Sequence, residues 1–398
     1  MTHHSSKTYE TSTTDVDQTE VTTDATQDTQ DIEEIQDIQD IQDIQNTPEM
    51  NHRGEEIFRG VVLNGAHGIY DVHTDGGVIR AQLRGKLKKA FKQEQAAKST
   101  SKERVRRDKM LFDPNYARKV ERMQSRNSND APVPTRLSVG DYVRVRRLSD
   151  GSGVIEEILP RQSALTRKDS GSSEKRTIAQ TLLANLDLVV MVFAVAQPEP
   201  HFGLLDRYLA ICEEAQLHAL ICFNKADLPH DEYVDQASNL YQGIGYSVLW
   251  TSTQTGQGID ELRTHLKDHT TLFTGPSGVG KSSLVNAIEP GMAIRTGLVS
   301  DITGKGKHTT TGSQLYPLSI GGWLADSAGI RALAALDIAP EDLANCFIEF
   351  RPYLGQCEYI DCSHINEEGC AIIRAVDEGN IDESRHRSYV KMYLGEER

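Results

Sequence analysis

The chain has 398 residues, a formal net charge of −15 and 38 % hydrophobic residues, enough for two or three domains with their own cores. It holds no run of about 18 apolar residues and no basic-then-apolar start, so no transmembrane helix and no signal peptide are predicted, and the cytoplasm is the expected compartment. Six cysteines, three of them clustered with a histidine, argue for a metal site rather than a disulfide framework.

The acidity sits at one end. The first 50 residues carry about a dozen more acids than bases, with Lys7 the only Lys or Arg, and Asp-Ile-Gln recurs through 31–45. Ile at a period of three drifts around a helix and leaves no stable stripe. Residues 1–53 are therefore predicted to be a disordered acidic tail. The rest is only mildly acidic, so the charge does not exclude an RNA partner.

Residues 54–160 read as a small β-domain. Strand-like runs occur at Ile57–Asn64, Gly68–His73 and Val78–Leu83, with Asn64-Gly65 and Asp75-Gly76-Gly77 as expected hairpin turns. The pattern resumes at Val139–Val145 and Gly153–Leu159. Five short strands with Gly turns suit a β-barrel such as an OB-fold, and equally another small β-domain. The interruption, about 85–134, is strongly basic. It includes Lys86, Lys88, Lys89, Arg104, Arg106 and Arg107, as a phosphate-binding arm would.

Beyond Arg176 the pattern becomes α/β. Leu186–Val195 and Leu217–Phe223 are buried-strand runs, Leu204–Ala215 is amphipathic, and Tyr241–Trp250 leads to a third strand. Alternating strands and helices predict a parallel sheet with ligand loops at the strand C-termini. The second strand ends at Asn224-Lys225-Ala226-Asp227, an NKxD sequence. There the Asp carboxylate accepts from guanine N1–H and the 2-amino group, a donor pair that adenine lacks. The Lys stem packs along the base, and the Asn ties this loop to the phosphate loop. Thr251-Ser252-Thr253 fits the further loop whose backbone contacts guanine O6.

The most specific stretch is Gly275-Pro276-Ser277-Gly278-Val279-Gly280-Lys281-Ser282, followed by Ser283. It reads G-x-x-x-x-G-K-S between the β-prone run Thr271–Thr274 and an apolar-periodic helix. That is the context in which backbone N–H groups and a helix N-terminus cradle phosphates. Lys281 would bridge the β- and γ-phosphates, and the Ser282 hydroxyl would ligate Mg²⁺. Asp326-Ser327-Ala328-Gly329 follows a strand-like run and resembles DxxG. Asp326 would hold Mg²⁺ through water, and the Gly329 N–H would sense the γ-phosphate. Between these lies Gly304–Thr311, a loop rich in hydroxyls, one of which would complete the Mg²⁺ shell. Last comes Cys357-x₄-Cys362-x-His364-x₅-Cys370: three thiolates and an imidazole, the donor set of a structural Zn²⁺ site.

The order of these motifs is cyclically shifted: NKAD comes first and the phosphate loop after it. With the barrel before and the Cys/His cluster behind, the chain resembles the circularly permuted, small-ribosomal-subunit-dependent GTPases of the RsgA/YjeQ family. The resemblance runs from about Gly60 to the end. It is carried also by Gly140-Asp141-Tyr142-Val143, Ala184-Asn185-Leu186-Asp187, Asp206-Arg207-Tyr208-Leu209, Gly278–Leu284 and His308-Thr309-Thr310-Thr311.

It implies a multidomain fold: an OB-fold barrel, a circularly permuted P-loop GTPase domain (161–342) and a mostly helical zinc-binding segment (343–398). It also implies slow GTP hydrolysis to GDP and phosphate that rises on the small subunit, a role in late subunit maturation, rRNA contact and a monomeric state. At the position where many GTPases place a water-orienting Gln stands Ile330. By the resemblance His308 positions the water, and Thr310 assists Mg²⁺ and γ-phosphate sensing. The chain departs from the family pattern at Ala328, where Pro is usual, and at Pro276. A second reading keeps the same motifs but makes the protein an rRNA-binding assembly factor, with GTP structural and turnover negligible.

Overall fold

The computed structural model describes residues 49–50, 55–85, 87, 137–168, 179–292, 314–325 and 338–396. All of them lie in the larger of the two units into which the chain divides, Pro48–Arg398. The acidic segment and nearly all of the basic insertion lie outside the described residues. Among the described residues, no helix is long and apolar enough to cross a membrane.

The first sheet comprises β1 (Glu49–Met50), β2 (Glu56–Ala66), β3 (Ile69–Thr74), β4 (Gly77–Leu83), β5 (Tyr142–Arg147) and β6 (Gly153–Ile158). Its order is β1-β2-β3-β4-β6-β5, and an antiparallel β2–β5 pairing closes it into a five-stranded barrel with β1 added at the side. The β4–β6 pairing is parallel and the other pairings antiparallel. Alternate residues fill the interior: Val62, Val72, Ile79, Ala81, Val143, Val145, Ile155 and Ile158.

One turn lies elsewhere than expected. Asn64 and Gly65 remain in β2, paired with Asp71 and Tyr70. The chain reverses instead at His67 and Gly68, which both adopt positive φ, 53° and 81°. Gly65 is needed for close approach, because a Cβ there would stand 2.3 Å from the Tyr70 ring. The turn at Asp75-Gly76 lies where expected.

β2 buries four consecutive residues, Gly60 to Leu63, because both of its faces are covered. Val62 points into the barrel, while Val61 and Leu63 join the core of the next domain. The hairpin of β7 (Ala164–Lys168) and β8 (Ala179–Ala184) lies between the two large sheets in sequence and packs Leu165 and Leu183 into that same core. Polar groups reinforce the junction. Arg161 Nε and Nη2 donate to the two oxygens of Asp141, which is fully buried, at 2.7 and 2.9 Å. Asn185 Nδ2 donates to Gly140 O at 2.9 Å. The His73 and Trp323 rings meet edge-on, centroids 4.8 Å apart.

The second large sheet contains β9 (Leu188–Ala194), β10 (His218–Asn224), β11 (Ser247–Thr251), β12 (Thr270–Thr274), β13 (Leu315–Pro317) and β14 (Trp323–Ala325). Its order is β11-β10-β9-β12-β14-β13, with every neighbour parallel except β13 against β14. Tyr241, expected on the approach to the third strand, instead belongs to a helix. All seven residues of β9 are buried, since helices cover both faces. Val189, Met191 and Phe193 pack with α1 (Phe202–Glu214) and α2 (Glu232–Gly243). Leu188, Val190 and Val192 pack with α3 (Ile259–Leu266) and α4 (Lys281–Ile288).

The C-terminal part is helical: α5 (Pro340–Leu343), two 3₁₀ turns (Ala344–Cys346 and Ile348–Tyr353), α6 (Ala371–Asp377) and α7 (Glu383–Leu394). It has its own core around Phe347, Phe350, Ile372 and Tyr389, which also takes in Ala210 of α1. Arg385 of α7 is 1 % exposed. It donates to Asp206 Oδ1 of α1 at 2.5 Å and to both oxygens of Glu349 at 2.6 and 3.2 Å. Tyr241 OH donates to Asp206 at 2.7 Å, and the guanidinium lies 4.6 Å from the centroid of the Phe347 ring.

Candidate functional site

The parallel strands β9, β10, β11 and β12 bring their C-terminal ends to one edge of the sheet, and the nucleotide motifs leave from there. From β12 the chain turns through Gly275 at φ 137° and Gly280 at φ 96°, then enters α4 at Lys281. Both glycines are required by space as well as by φ. A Cβ at 275 would stand 2.0 Å from Val192 O, and one at 280 would stand 2.3 Å from Asn224 Nδ2. Val279 is fully buried and anchors the loop in the core, whereas Ser277, Gly278 and Ser283 are exposed. Lys281 Nζ reaches back across the loop and donates to Gly275 O at 2.9 Å and Pro276 O at 2.7 Å. Pro276 and Ser282 are half-buried beside it.

Asn224, 1 % exposed, joins this loop to the NKAD loop. Its Nδ2 donates to Val279 O at 2.8 Å, and its Oδ1 accepts from Thr251 Oγ1 at 3.0 Å. Behind it, Cys222 Sγ lies 3.2 Å from Thr251 Oγ1. Lys225 takes a left-handed backbone, φ 61°, and its Nζ donates to Gln197 O. Asp227 is exposed at the mouth, and its Oδ1 accepts from Ser252 Oγ at 2.5 Å. Ser252 is fully buried; its hydroxyl also accepts from the Gln254 and Thr255 N–H groups at 3.2 Å. Those two donors leave the hydroxyl proton only one direction, toward the carboxylate. The Ser252 N–H itself is bonded to Gln257 O at 3.0 Å. Ser252 thus holds Asp227 through its side chain, while its own amide is engaged within the loop. Sequence reasoning had no signal for this, nor for the Thr251 and Cys222 support behind Asn224.

β14 runs parallel to β12 and ends at Ala325, so the residue before Asp326 lies at the same sheet edge. Asp326, Ala328, Gly329 and Ile330, and the Gly304–Thr311 loop with His308 and Thr310, lie outside the described residues.

At the other site, the ligand atoms of Cys357, Cys362, His364 and Cys370 all lie within 4.8 Å of one another. His364 Nδ1 is 3.5 Å from Cys357 Sγ and 3.4 Å from Cys370 Sγ, and those two sulfurs are 3.8 Å apart. Thiolates at about 2.3 Å from a tetrahedral ion stand about 3.8 Å apart, so the donor set can hold a metal ion of that kind. Without one, burial pushes the Cys362 thiol up to about 12 and raises Cys370 as well. A bound dication reverses that, because it ligates the thiolate. Burial also lowers the His364 pKa, favouring the neutral ring that binds metals. Outer contacts fix the loop. Glu367 accepts from the Ser363, Ile365 and Asn366 N–H groups at 2.7, 3.0 and 3.2 Å. Although burial opposes it, bonds from the Ser363 hydroxyl and from the Ser363, Glu367 and Ile365 N–H groups bring the Glu367 carboxyl down to about 2. From α7, His386 Nε2 lies 2.8 Å from His364 O, and Tyr389 OH donates to Ser363 O at 2.8 Å. Cys212, Cys222 and Cys346 are buried and are not members of this cluster, although Cys346 shares the C-terminal core with it.

Arg385, Glu349 and Tyr241 were not visible as partners in the sequence. Asp206 gave a faint signal, an acid on the buried stripe of an amphipathic helix between Leu205 and Tyr208.

A family model described as RsgA GTPase matches residues 158–336. A protein named small ribosomal subunit biogenesis GTPase RsgA from Gemmatimonas aurantiaca is 37 % identical over 336 residues, 84 % of this chain and 95 % of that protein. One of the same name from Pseudomonas aeruginosa is 44 % identical over 256 residues, 64 % of this chain and 74 % of that protein. Among solved structures, YjeQ from Thermotoga maritima superposes with a TM-score of 0.60 at 30 % identity, covering 85 % of this chain and 98 % of that one. YloQ, described as a circularly permuted GTPase, gives 0.58 at 26 % identity over 87 % of this chain and 97 % of that one. The motif order, the barrel before the sheet, the Cys/His cluster behind it and these likenesses agree: the chain belongs to the RsgA family of circularly permuted GTPases.

Proposed function

We propose that this protein is a GTP phosphohydrolase of small-ribosomal-subunit biogenesis, acting late in maturation and stimulated by the subunit itself. The observation that carries the reading is the fixed pair of loops: a carboxylate at Asp227 held by Ser252, tied through Asn224 to the Gly275–Ser283 loop. Asp227 reads the guanine edge, Lys225 lies along the base, and the backbone of Gly275, Pro276, Ser277, Gly278, Val279 and Gly280 cradles the phosphates. Lys281 exchanges its two carbonyl partners for phosphate oxygens, a charge-assisted bond in place of a neutral one. Ser282, Thr310 and Asp326 are the groups suited to hold Mg²⁺, which when bound neutralises charge on the transferring phosphate. Gly329 senses the γ-phosphate, and His308 orients the attacking water.

Cys357, Cys362, His364 and Cys370 fill all four positions of a zinc site, which is structural for that reason. The domains proposed are 54–160, 161–342 and 343–398, after the acidic segment 1–53. The barrel, the basic insertion and the zinc segment share the contact with the subunit and its rRNA. The protein works in the cytoplasm as a monomer.

The test is turnover of GTP by His308→Ala and Lys281→Ala on saturating small subunits. His308→Ala should keep GTP and subunit affinity and lose most of the stimulated rate, whereas Lys281→Ala should weaken nucleotide binding itself. Full stimulated turnover by His308→Ala would place water positioning elsewhere. Negligible turnover by the wild type would favour the assembly-factor reading.

A further inference from the structure

The metal loop carries an apolar apex that nothing among the described residues covers. Ile360 is fully exposed and Tyr359 is 53 % exposed. They stand side by side between Cys357 and Cys362, two members of the Cys/His cluster. The apex is held from within. Glu358 N donates to Gly369 O at 3.1 Å, and Gly369 makes room for the Glu358 side chain, since a Cβ there would stand 2.5 Å from its Oε2. Glu367 caps the loop, and α7 supports it through His386 and Tyr389. An apolar pair presented on so fixed a support stays open among the described residues. Its exposure is unfavourable until a partner removes it from water, and such clustered anchors are what binding hot spots are made of.

Charge selects the partner. From Pro352 to Ile373 there is no Lys or Arg, and the loop carries Glu358, Asp361, Glu367 and Glu368. The phosphate backbone of RNA is repelled by such a surface, whereas a basic protein surface is attracted by it. The basic insertion of this chain, far off in sequence, has the opposite character. The two segments are therefore suited to different components of one target.

We propose that the Glu358–Asp361 apex docks on a basic protein component of the small ribosomal subunit, inserting Ile360 and Tyr359 into an apolar recess with the acids at its rim. This rests on the reading that the chain acts on that subunit. Asp361, exposed at the apex, stands at the rim, and its sign distinguishes the two possible targets.

The experiment is binding of the full-length, metal-loaded chain to purified small subunits, with Ile360→Ser and Asp361→Lys beside the wild type. Metal content and unfolding curves serve as controls that both variants fold. Ile360→Ser should weaken binding about tenfold, the scale of losing one buried aliphatic anchor. Asp361→Lys should weaken it as well. A photoreactive residue placed at 360 should give a ribonuclease-resistant adduct with a basic subunit protein. Tighter binding by Asp361→Lys, or a ribonuclease-sensitive adduct, would assign the apex to rRNA and overturn the proposal. So would an adduct with the chain's own basic insertion or with a second copy, or unchanged affinity in both variants. If those failures occur while the wild type still binds and is stimulated, only the docking falls. If the wild type does not bind the subunit at all, the functional reading falls with it.

Discussion

Ser252 uses one hydroxyl to settle the orientation of Asp227, the group proposed to read the base. Its proton goes to Asp227 and its lone pairs to two backbone donors, so the carboxylate is held before any nucleotide arrives. Ser252→Ala should weaken GTP binding by roughly three- to tenfold, the net worth of one ordinary hydrogen bond, since Asp227 itself is exposed. Asp227→Ala should nearly abolish preference for GTP over ATP. Direct titration of both nucleotides checks this, and equal affinities in the wild type would contradict it. The cysteines give a second test at this scale. Burial pushes the Cys222 and Cys346 thiols up to about 12 and Cys212 further. The reactive form is the thiolate, so these three should stay inert at pH 8. Chelation of the metal should unfold the loop that the cluster holds together, relieving the burial that raises Cys362 and Cys370 and making the three cluster cysteines reactive to a thiol reagent, and the other three should follow only in denaturant. Six reacting at once in native buffer would contradict the assignment. Asn224, Asp227 and Lys281 were legible in the sequence because their chemistry is tied to short spacings. Thr251, Cys222 and the side-chain role of Ser252 were not, because their partners are distant in sequence and specified only by strand register.

Helix α7 joins the Cys/His loop to the GTPase domain. Successive positions serve both: Arg385 enters the α1–α2 side of the GTPase sheet, while His386 and Tyr389 hold the metal loop. Removing the guanidinium strands Asp206 and Glu349 as buried carboxylates. Arg385→Ala should therefore lower unfolding free energy by about 3–5 kcal/mol. The triple change Arg385→Met, Asp206→Asn and Glu349→Gln should recover part of that loss, since it leaves no unpaired charge. A loss below about 1 kcal/mol in denaturant unfolding of Arg385→Ala would mean that the network is not load-carrying. Element type was legible in β9 as an unbroken apolar run and in α1 as an amphipathic one. The β2–β3 turn was misplaced because Asn64-Gly65 has turn chemistry, while Gly65 is there to admit the Tyr70 ring. β2 itself was read as a barrel strand, and its second buried face was hidden because alternation vanishes when both sides are covered.

The barrel and the GTPase sheet share one core through Val61, Leu63, Leu165 and Leu183, reinforced by the buried Arg161–Asp141 pair. They should unfold in a single calorimetric transition, and two separate transitions assigned to the two sheets would contradict that. Removing residues 1–47 should leave nucleotide affinity unchanged, because every group of the two described sites lies beyond Pro48. At this scale the permuted order was legible from motif order, and the three-part layout from that order together with the family resemblance. The welds between parts were not, because Asp141, Arg161 and Arg385 resemble surface charges until the fold buries them and Asp206 gave only a faint signal.

The central claim is that this chain hydrolyses GTP in response to the small subunit. Its most direct test is the rate of phosphate release from GTP and from ATP by the metal-loaded chain, alone and with purified small or large subunits. Slow GTP turnover alone, a rise of about a few powers of ten with small subunits only, and no ATP turnover are expected. Phosphate release that is equal with and without small subunits, or equal for ATP and GTP, would contradict the account.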